Sequence, residues 1–366
     1  MSRAPQLLLG LALALGWPRP AAARPAPRMI EVSKGVYLFL TAPYSDVGLD
    51  GNAVAIVSDS GVLVFDANGT PGAARAVLAR IHRITRQPVR YLVFSHWHWD
   101  HWYGAEVYRD AYPGIVIVSH RATRELMLGP ALEFNRPGLD AQLPAHIGAV
   151  AARIAELERT DSRSPDLPRL RAHLAADRDF LAEKRAVRHT VATLTFDDSL
   201  TIHLGGRRIQ VLHYDRAVTP GDAFLYLPDE QILVMGDLLV NPITFALGCY
   251  PDGWIRTLAR LDSLPVRVIV PGHGEPMHDK ALLEATLATL RELRRLGLAA
   301  RARGLAVDSA RAAITDSIRP LRDRITGGDP ALDRQFDVYL VDWYLHRVYD
   351  EAAGPLTDAI AAIPPE

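Results

Sequence analysis

Cysteine is almost missing from this chain: Cys249 is the single one among 366 residues, so no internal disulfide can brace the fold. It reads as a small buried apolar residue or as a thiol open to pairing between chains. An excess of one charge is missing too, with 41 basic against 42 acidic side chains. A near-neutral surface exerts no general pull on a polyanion, which argues against a nucleic-acid substrate. No short-period repeat is present. What remains is an ordinary globular balance, 49% hydrophobic and 23% charged, in a length that holds one large domain or two.

Met1 to Ala23 stands apart. Arg3 precedes the apolar run Leu7-Leu8-Leu9-Gly10-Leu11-Ala12-Leu13-Ala14-Leu15, followed by Trp17-Pro18 and Ala21-Ala22-Ala23. This is the pattern of a secretory signal peptide, too short to span a bilayer as a permanent helix. Its removal on export is the expectation, against the alternatives of an uncleaved anchor or a merely apolar start. No cysteine lies near the cleavage region, so a lipid anchor there is excluded. The mature protein is expected in the periplasm or secreted, with no permanent membrane anchor. Losing Arg3 and Arg19 from the 41 basic residues leaves 39 against 42 acidic ones, a net charge of −3.

From Met29 the pattern is of strands broken by turns: Met29 to Val32, Val36 to Leu40, Ala53 to Val57 and Val62 to Phe65. The last is apolar throughout, as in a strand covered on both faces, and it ends in Asp66. Pro71 to Ile84 carries Ala74, Val77, Leu78 and Ile81 at helical spacing, with Pro71 suited to a first turn. Tyr91 to Phe94 is again a strand. From about Arg121 to Arg188 strand formers are few, and Ile147 to Glu158 and Leu167 to Ala186 read as helices. That segment is a helical insertion packed on the sheet, a cap over the active site, or both. Strand patterning returns with Leu200 to Leu204, Ile209 to His213, Ala223 to Leu227 and Ile232 to Met235, ending in Gly236-Asp237. Asp252 to Leu264 reads as a helix and Val266 to Val270 as a strand, ending in Pro271-Gly272-His273-Gly274. Beyond His278 the pattern is helical. The expected organisation is a main domain over residues 29–280, with the insertion at about 121–188, and a helical extension over 281–366 packed on it.

The densest chemistry is His96-Trp97-His98-Trp99-Asp100-His101, at the carboxyl end of a buried strand, where open α/β sheets usually carry their ligands. Three imidazoles and a carboxylate within six positions are costly to hold together unless a metal binds them. If the chain stays extended, His96, His98 and Asp100 point to one side and Trp97 and Trp99 to the other.

These residues, with Asp66, Gly236-Asp237 and Pro271-Gly272-His273-Gly274, resemble the metallo-β-lactamase superfamily of metal-dependent hydrolases over roughly Glu31 to Pro276. The resemblance implies an α/β fold, a four-layer αββα sandwich of two related halves, with metals at the edge where the sheets meet. It implies that His96 and His98 serve a first metal site, that Asp100, His101 and His273 serve a second, and that Asp237 bridges them. Asp66 would support the ligand loop without touching metal. Relatives carry a third histidine in a His-Thr-Pro-Gly-Asp segment, and here Val218 stands in its place before Thr219-Pro220-Gly221-Asp222. Valine has no donor atom, so the first site is weakened; His213, five residues upstream, is a poor substitute.

The implied cofactor is zinc, one or two ions per chain, with iron less favoured. Water held between two metals has its pKa lowered to about 7, with Asp100 holding the nucleophile in place. The expected partner is a small-molecule substrate: an ester, thioester, amide or lactam. Trp97, Trp99, Trp102 and Tyr103 form either an apolar wall for it or core beneath the loop, and Tyr44, Ser45 and Asp46 lie where relatives often touch substrate. The alternatives are a metal-binding accessory protein with little turnover and a mononuclear iron oxygenase. Oligomeric state is not encoded legibly.

Overall fold

The computed structural model describes residues 26–42 and 50–356. The expected leader and Tyr44, Ser45 and Asp46 lie outside the described residues. Strands form two sheets. The first has seven strands in chain order: β1 (Arg28–Ser33), β2 (Val36–Leu40), β3 (Ala53–Ser58), β4 (Gly61–Phe65), β5 (Val89–Val93), β6 (Val116–His120) and β7 (Leu194–Phe196). The first four pair antiparallel and the rest run parallel. The second sheet contains β8 (Ser199–Leu204), β9 (Arg207–Leu212), β10 (Phe224–Leu227), β11 (Ile232–Val234) and β12 (Val268–Val270), in spatial order β12-β11-β10-β9-β8. It too is an antiparallel meander closed by one parallel pair, β11 with β12.

Alternation along the strands decides which layer each side chain enters. Val36, Leu38, Val54, Ile56, Leu63 and Phe65 face the second sheet and pack against Ile209, Val211, Leu225 and Val234. On the other side of the first sheet, Phe39, Ala53, Ala55, Val62 and Val64 meet the helices α1 (Pro71–Ile84) and α2 (Ala105–Ala111). Phe224, Tyr226, Leu233 and Ile269 of the second sheet likewise meet α7 (Pro251–Asp262), α8 (Ala281–Ala302), α9 (Val307–Thr326) and α11 (Trp343–Ala353). The result is a four-layer αββα sandwich. Because both faces of each sheet are covered, β4, β10 and β11 are buried at every position.

Helix α1 shows how local sequence sets an element that the site needs. Thr70 caps it, its hydroxyl accepting the Ala73 amide at 3.2 Å, and Pro71 fixes the first turn. Ala74, Val77, Leu78 and Ile81 are buried against the sheet. Between β6 and β7 lie α3 (Arg121–Met127), α4 (Pro130–Pro137), α5 (Leu143–Thr160) and α6 (Asp166–Arg185). Strand β7 is three residues long with Leu194 and Thr195 exposed, and so short an edge strand leaves no alternation to read. The helix α10 (Pro330–Gln335) leads into an irregular helical segment, Phe336–Asp342, before α11. Among the described residues, no helix is long and apolar enough to cross a membrane.

Leu63 is fully buried between the sheets. Leu63→Ala is expected to cost about 2–5 kcal/mol in urea-induced unfolding. The same change at exposed Leu194 is expected to stay within about 0.5 kcal/mol, and equal costs would contradict the layer assignment.

Candidate metal centre

Four strand ends deliver the site. β4 runs into Asp66, β5 into Ser95-His96, β11 into Asp237 and β12 into His273. The loops are locked together by backbone bonds: Asp66 N–H to Val93 O at 2.8 Å, Ala223 N–H to Ser95 O at 2.7 Å and Met235 N–H to Val270 O at 2.9 Å. Asn52 clamps the His273 loop from the other sheet. Its side-chain amide donates to Pro271 O and Gly274 O, both at 2.9 Å, and its backbone N–H donates to Gly272 O at 2.7 Å. Asp237 is framed by two glycines that no other residue replaces easily. Gly236 sits at φ +55° with Ser95 against it, and a side chain on Gly272 would collide with the Asp237 carboxylate.

The ligand loop departs from the extended form expected of it. After His98 the chain tightens into a 3₁₀ turn, Trp99–His101, with the His101 N–H bonded to His98 O at 3.1 Å. The turn swings His101 inward behind His96, their ring centroids 4.4 Å apart. Asp66, itself in the left-handed region at φ +61°, takes three bonds: Ser95 N–H at 2.7 Å, Ser95 hydroxyl at 2.8 Å and His101 Nδ1 at 2.8 Å. Asp66 thereby fixes the His101 tautomer and leaves Nε2 facing the other acidic groups. The Ser95 hydroxyl spends its proton on Asp66 and so accepts from His96 Nδ1 at 2.8 Å, which leaves His96 Nε2 as the acceptor that faces His98 Nδ1 at 2.8 Å.

Two groups of donor atoms result. His96, His98 and Asp237 form one; Asp100, His101 and His273 form the other; within each, the donor atoms lie within 4.8 Å of one another. Asp237 joins the groups, with Oδ2 3.6 Å from His96 Nε2, and Oδ1 3.3 Å from His101 Nε2 and 3.5 Å from His273 Nε2. The donor set suits a metal by its chemistry and by one further sign. Asp100 Oδ2, His101 Nε2, Asp237 Oδ1 and His273 Nε2 are all buried with no hydrogen-bond partner. Four such orphans converging on one point is the arrangement a cation satisfies.

Electrostatics point the same way. Burial favours the neutral forms of Asp100 and Asp237, yet His101 and His273 hold both carboxyls well below the usual range. Burial would likewise lower His273, but Asp237 and Asp100 push it up to about 10. His101 is held well above its ordinary value by Asp100, Asp237 and Asp66, again against burial. Protons on these two imidazoles balance the carboxylates where a metal would otherwise do so. His96 differs: burial, then His98 and His101, drive it well below its ordinary value, so it is a neutral donor.

Val218 is buried in the apolar core under the second sheet and contributes no donor. His213 is elsewhere engaged. Its Nδ1 bonds to Asp222 O at 2.9 Å and its ring lies 4.1 Å from that of His120. His120 is buried at the end of β6 against His213 and Phe196. Trp97, Trp102 and Tyr103 belong to the core beneath the loop, while Trp99 stays partly exposed beside Asp100. Sequence reading passed over Asn52, Ser95 and Lys184. The first two are small polar residues at strand ends like many others, and Lys184 sits in a helix crowded with charge.

Comparison with known proteins places the chain. The family model of the metallo-beta-lactamase superfamily matches residues 46–273. The linear primary-alkylsulfatase of Pseudomonas sp. (strain ATCC 19151) is 24% identical over 254 residues, 65% of this chain and 44% of that protein. The 2,4-dinitroanisole O-demethylase subunit alpha of Nocardioides sp. (strain JS1661) is 25% identical over 226 residues, 60% of this chain and 51% of that protein. The chain thus spans about half the length of these relatives. Among solved structures, a metallo-beta-lactamase from Pontibacter korlensis aligns with TM-score 0.50 at 19% identity, covering 72% of this chain and 99% of that one. The DIM-1 metallo-beta-lactamase aligns with TM-score 0.50 at 17% identity, covering 74% and 98%. At these identities the structures establish the fold alone.

Two outcomes are expected. Val218→His supplies the missing imidazole and raises the metal content of the purified protein; unchanged content would show that position 218 does not face the first group. Metal affinity is expected to fall as pH falls, because His101 and His273 must each surrender a proton to bind. The slope is roughly tenfold per pH unit for each proton displaced. Calorimetry in buffers of different ionisation enthalpy counts those protons, and a pH-independent affinity would contradict the assignment.

Proposed function

The chain belongs to the metallo-beta-lactamase superfamily, and on that premise we propose that it is an exported, zinc-dependent hydrolase of a small-molecule ester, thioester, amide or lactam. The observation that carries the reading is the set of four buried, unpartnered donor atoms on Asp100, His101, Asp237 and His273. Drift away from metal binding would not keep such a set buried at a cost of about 1–3 kcal/mol for each orphaned group. The alkylsulfatase and O-demethylase among the relatives add sulfate esters and aryl ethers to the substrates worth testing. Export rests on the leader pattern of Met1 to Ala23.

His96, His98 and Asp237 would hold one metal, and Asp100, His101, His273 and the shared Asp237 the other. A bound zinc supplies Lewis acidity and lowers the pKa of coordinated water to about 7. The protein's own residues supply the rest. Asp66 orients His101, Ser95 orients His96, and Asn52 holds the His273 loop in register with both. Asp100, a buried ionised carboxylate beside His101 and His273, would be an acceptor able to position a nucleophilic water.

A second reading has one observation in its favour. With Val218 apolar and buried, the first group offers three protein donors, one of them shared. A metal-binding accessory protein that retains the second site and little turnover fits that asymmetry. Metal analysis with a probe panel separates the readings. Zinc together with turnover of ester, lactam or sulfate-ester probes is expected, and Asp237→Ala should reduce turnover more than about 100-fold while lowering metal content, beyond what outer-shell changes usually cost. One tightly held zinc with no turnover across the panel would favour the accessory protein; iron with oxygen uptake would favour an oxygenase.

A further inference from the structure

The last turn of α6 brings Lys184 over the metal-ligand loop. Its Nζ lies 3.4 Å from the ring centroid of Trp99, 5.0 Å from that of Tyr103 and 5.4 Å from that of Phe180. The cage is built from two directions. Trp99 and Tyr103 come from the ligand loop, and Phe180 comes from α6, where it packs with Leu143, Ile147 and Leu181 against Trp99. The adjacent Glu183 anchors this end of α6 to the main fold by accepting the Gly72 N–H at 2.6 Å, at the start of α1. The position of Lys184 is therefore set by its surroundings and is not a chance rotamer of a surface lysine.

Among the described residues, no carboxylate lies within ion-pair distance of this ammonium. Burial lowers its pKa to about 7, and the charge that opposes the shift is that of Asp100, a residue of the second donor group. Aromatic faces attract a cation but leave its N–H donors unanswered. A half-buried cation with open donors, beside a metal-ligand carboxylate and on the partly exposed Trp99, has the properties of a receptor for an anion.

We propose that Lys184 is a substrate-binding cation, which recognises an anionic oxyacid group (carboxylate, sulfonate or sulfate) on the molecule held at the metal centre, with Trp99 and Phe180 as the apolar wall of the same subsite. The inference rests on the hydrolase reading for the word substrate, but the binding it describes needs no turnover. An incoming oxyanion supplies the counter-charge and the acceptors that Lys184 lacks among the described residues. The helical insertion then acts as the element that selects charged substrates, while the sandwich supplies the chemistry.

The test uses the metal-loaded full chain and two ligands of matched shape, anionic benzenesulfonate and neutral methyl phenyl sulfone, titrated by tryptophan fluorescence and calorimetry. The wild type is expected to prefer the sulfonate at least tenfold. Lys184→Met and Lys184→Gln should each reduce that preference about tenfold or more, and Lys184→Arg should largely keep it. An equal preference in wild type and in either neutral variant would overturn the proposal, as would a wild type without preference. Anion preference without hydrolysis of any probe would count against the proposed function alone. Hydrolysis of neutral esters with no role for Lys184 would count against this proposal alone.

Discussion

Burying two carboxylates side by side is the constraint on which the rest of this molecule turns. Asp100 and Asp237 are almost wholly enclosed, and each has an oxygen without a hydrogen-bond partner. Left alone, such a pair would take up protons. It stays ionised because His101 and His273 face it at 3.1 to 3.5 Å, and those two imidazoles come from different sheets. The two halves of the sandwich therefore have to close in one register for the charges to balance. Asn52 and Asp66 are the residues that hold that register: one ties the first sheet to the His273 loop, the other ties Ser95 and His101 together.

Much of this arrangement is legible in the sequence where physics repeats itself. Leu63 and Phe65 alternate with Val62 and Val64, and the pure apolar run they form signals a strand covered on both faces. Pro71 to Ile84 carries a first-turn proline and a helical stripe, and the helix has those bounds. The cluster from His96 to His101 marks a candidate metal site by residue type alone. Other features leave no such trace. Strand β7 is too short to alternate, and the 3₁₀ turn at Trp99 depends on Asp66 and on contacts with the loop before α1. The insertion was recognisable as helical, but its side-chain aim was not: Lys184 is one of many charges on α6, and only the positions of Trp99 and Phe180 make it different.

The two groups of donor atoms are not equivalent. The second group has a full set of donors, all orphaned and ready, whereas the first relies on His96 and His98, which satisfy each other by a bond of 2.8 Å. A cation entering the first group has to break that bond; one entering the second has to displace the protons of His101 and His273 from their ion pairs with Asp100 and Asp237. The second group offers three donors of its own and the first depends on the shared Asp237, so filling is expected to be sequential with the second group first.

The most direct test of the metal centre is anomalous scattering recorded at the zinc edge from crystals grown with zinc. A peak within about 2.0–2.2 Å of Asp100, His101 and His273 donor atoms is the expected result. A second, weaker peak is expected at His96, His98 and Asp237. Fully loaded crystals with no peak at the Asp100, His101 and His273 group would contradict the account.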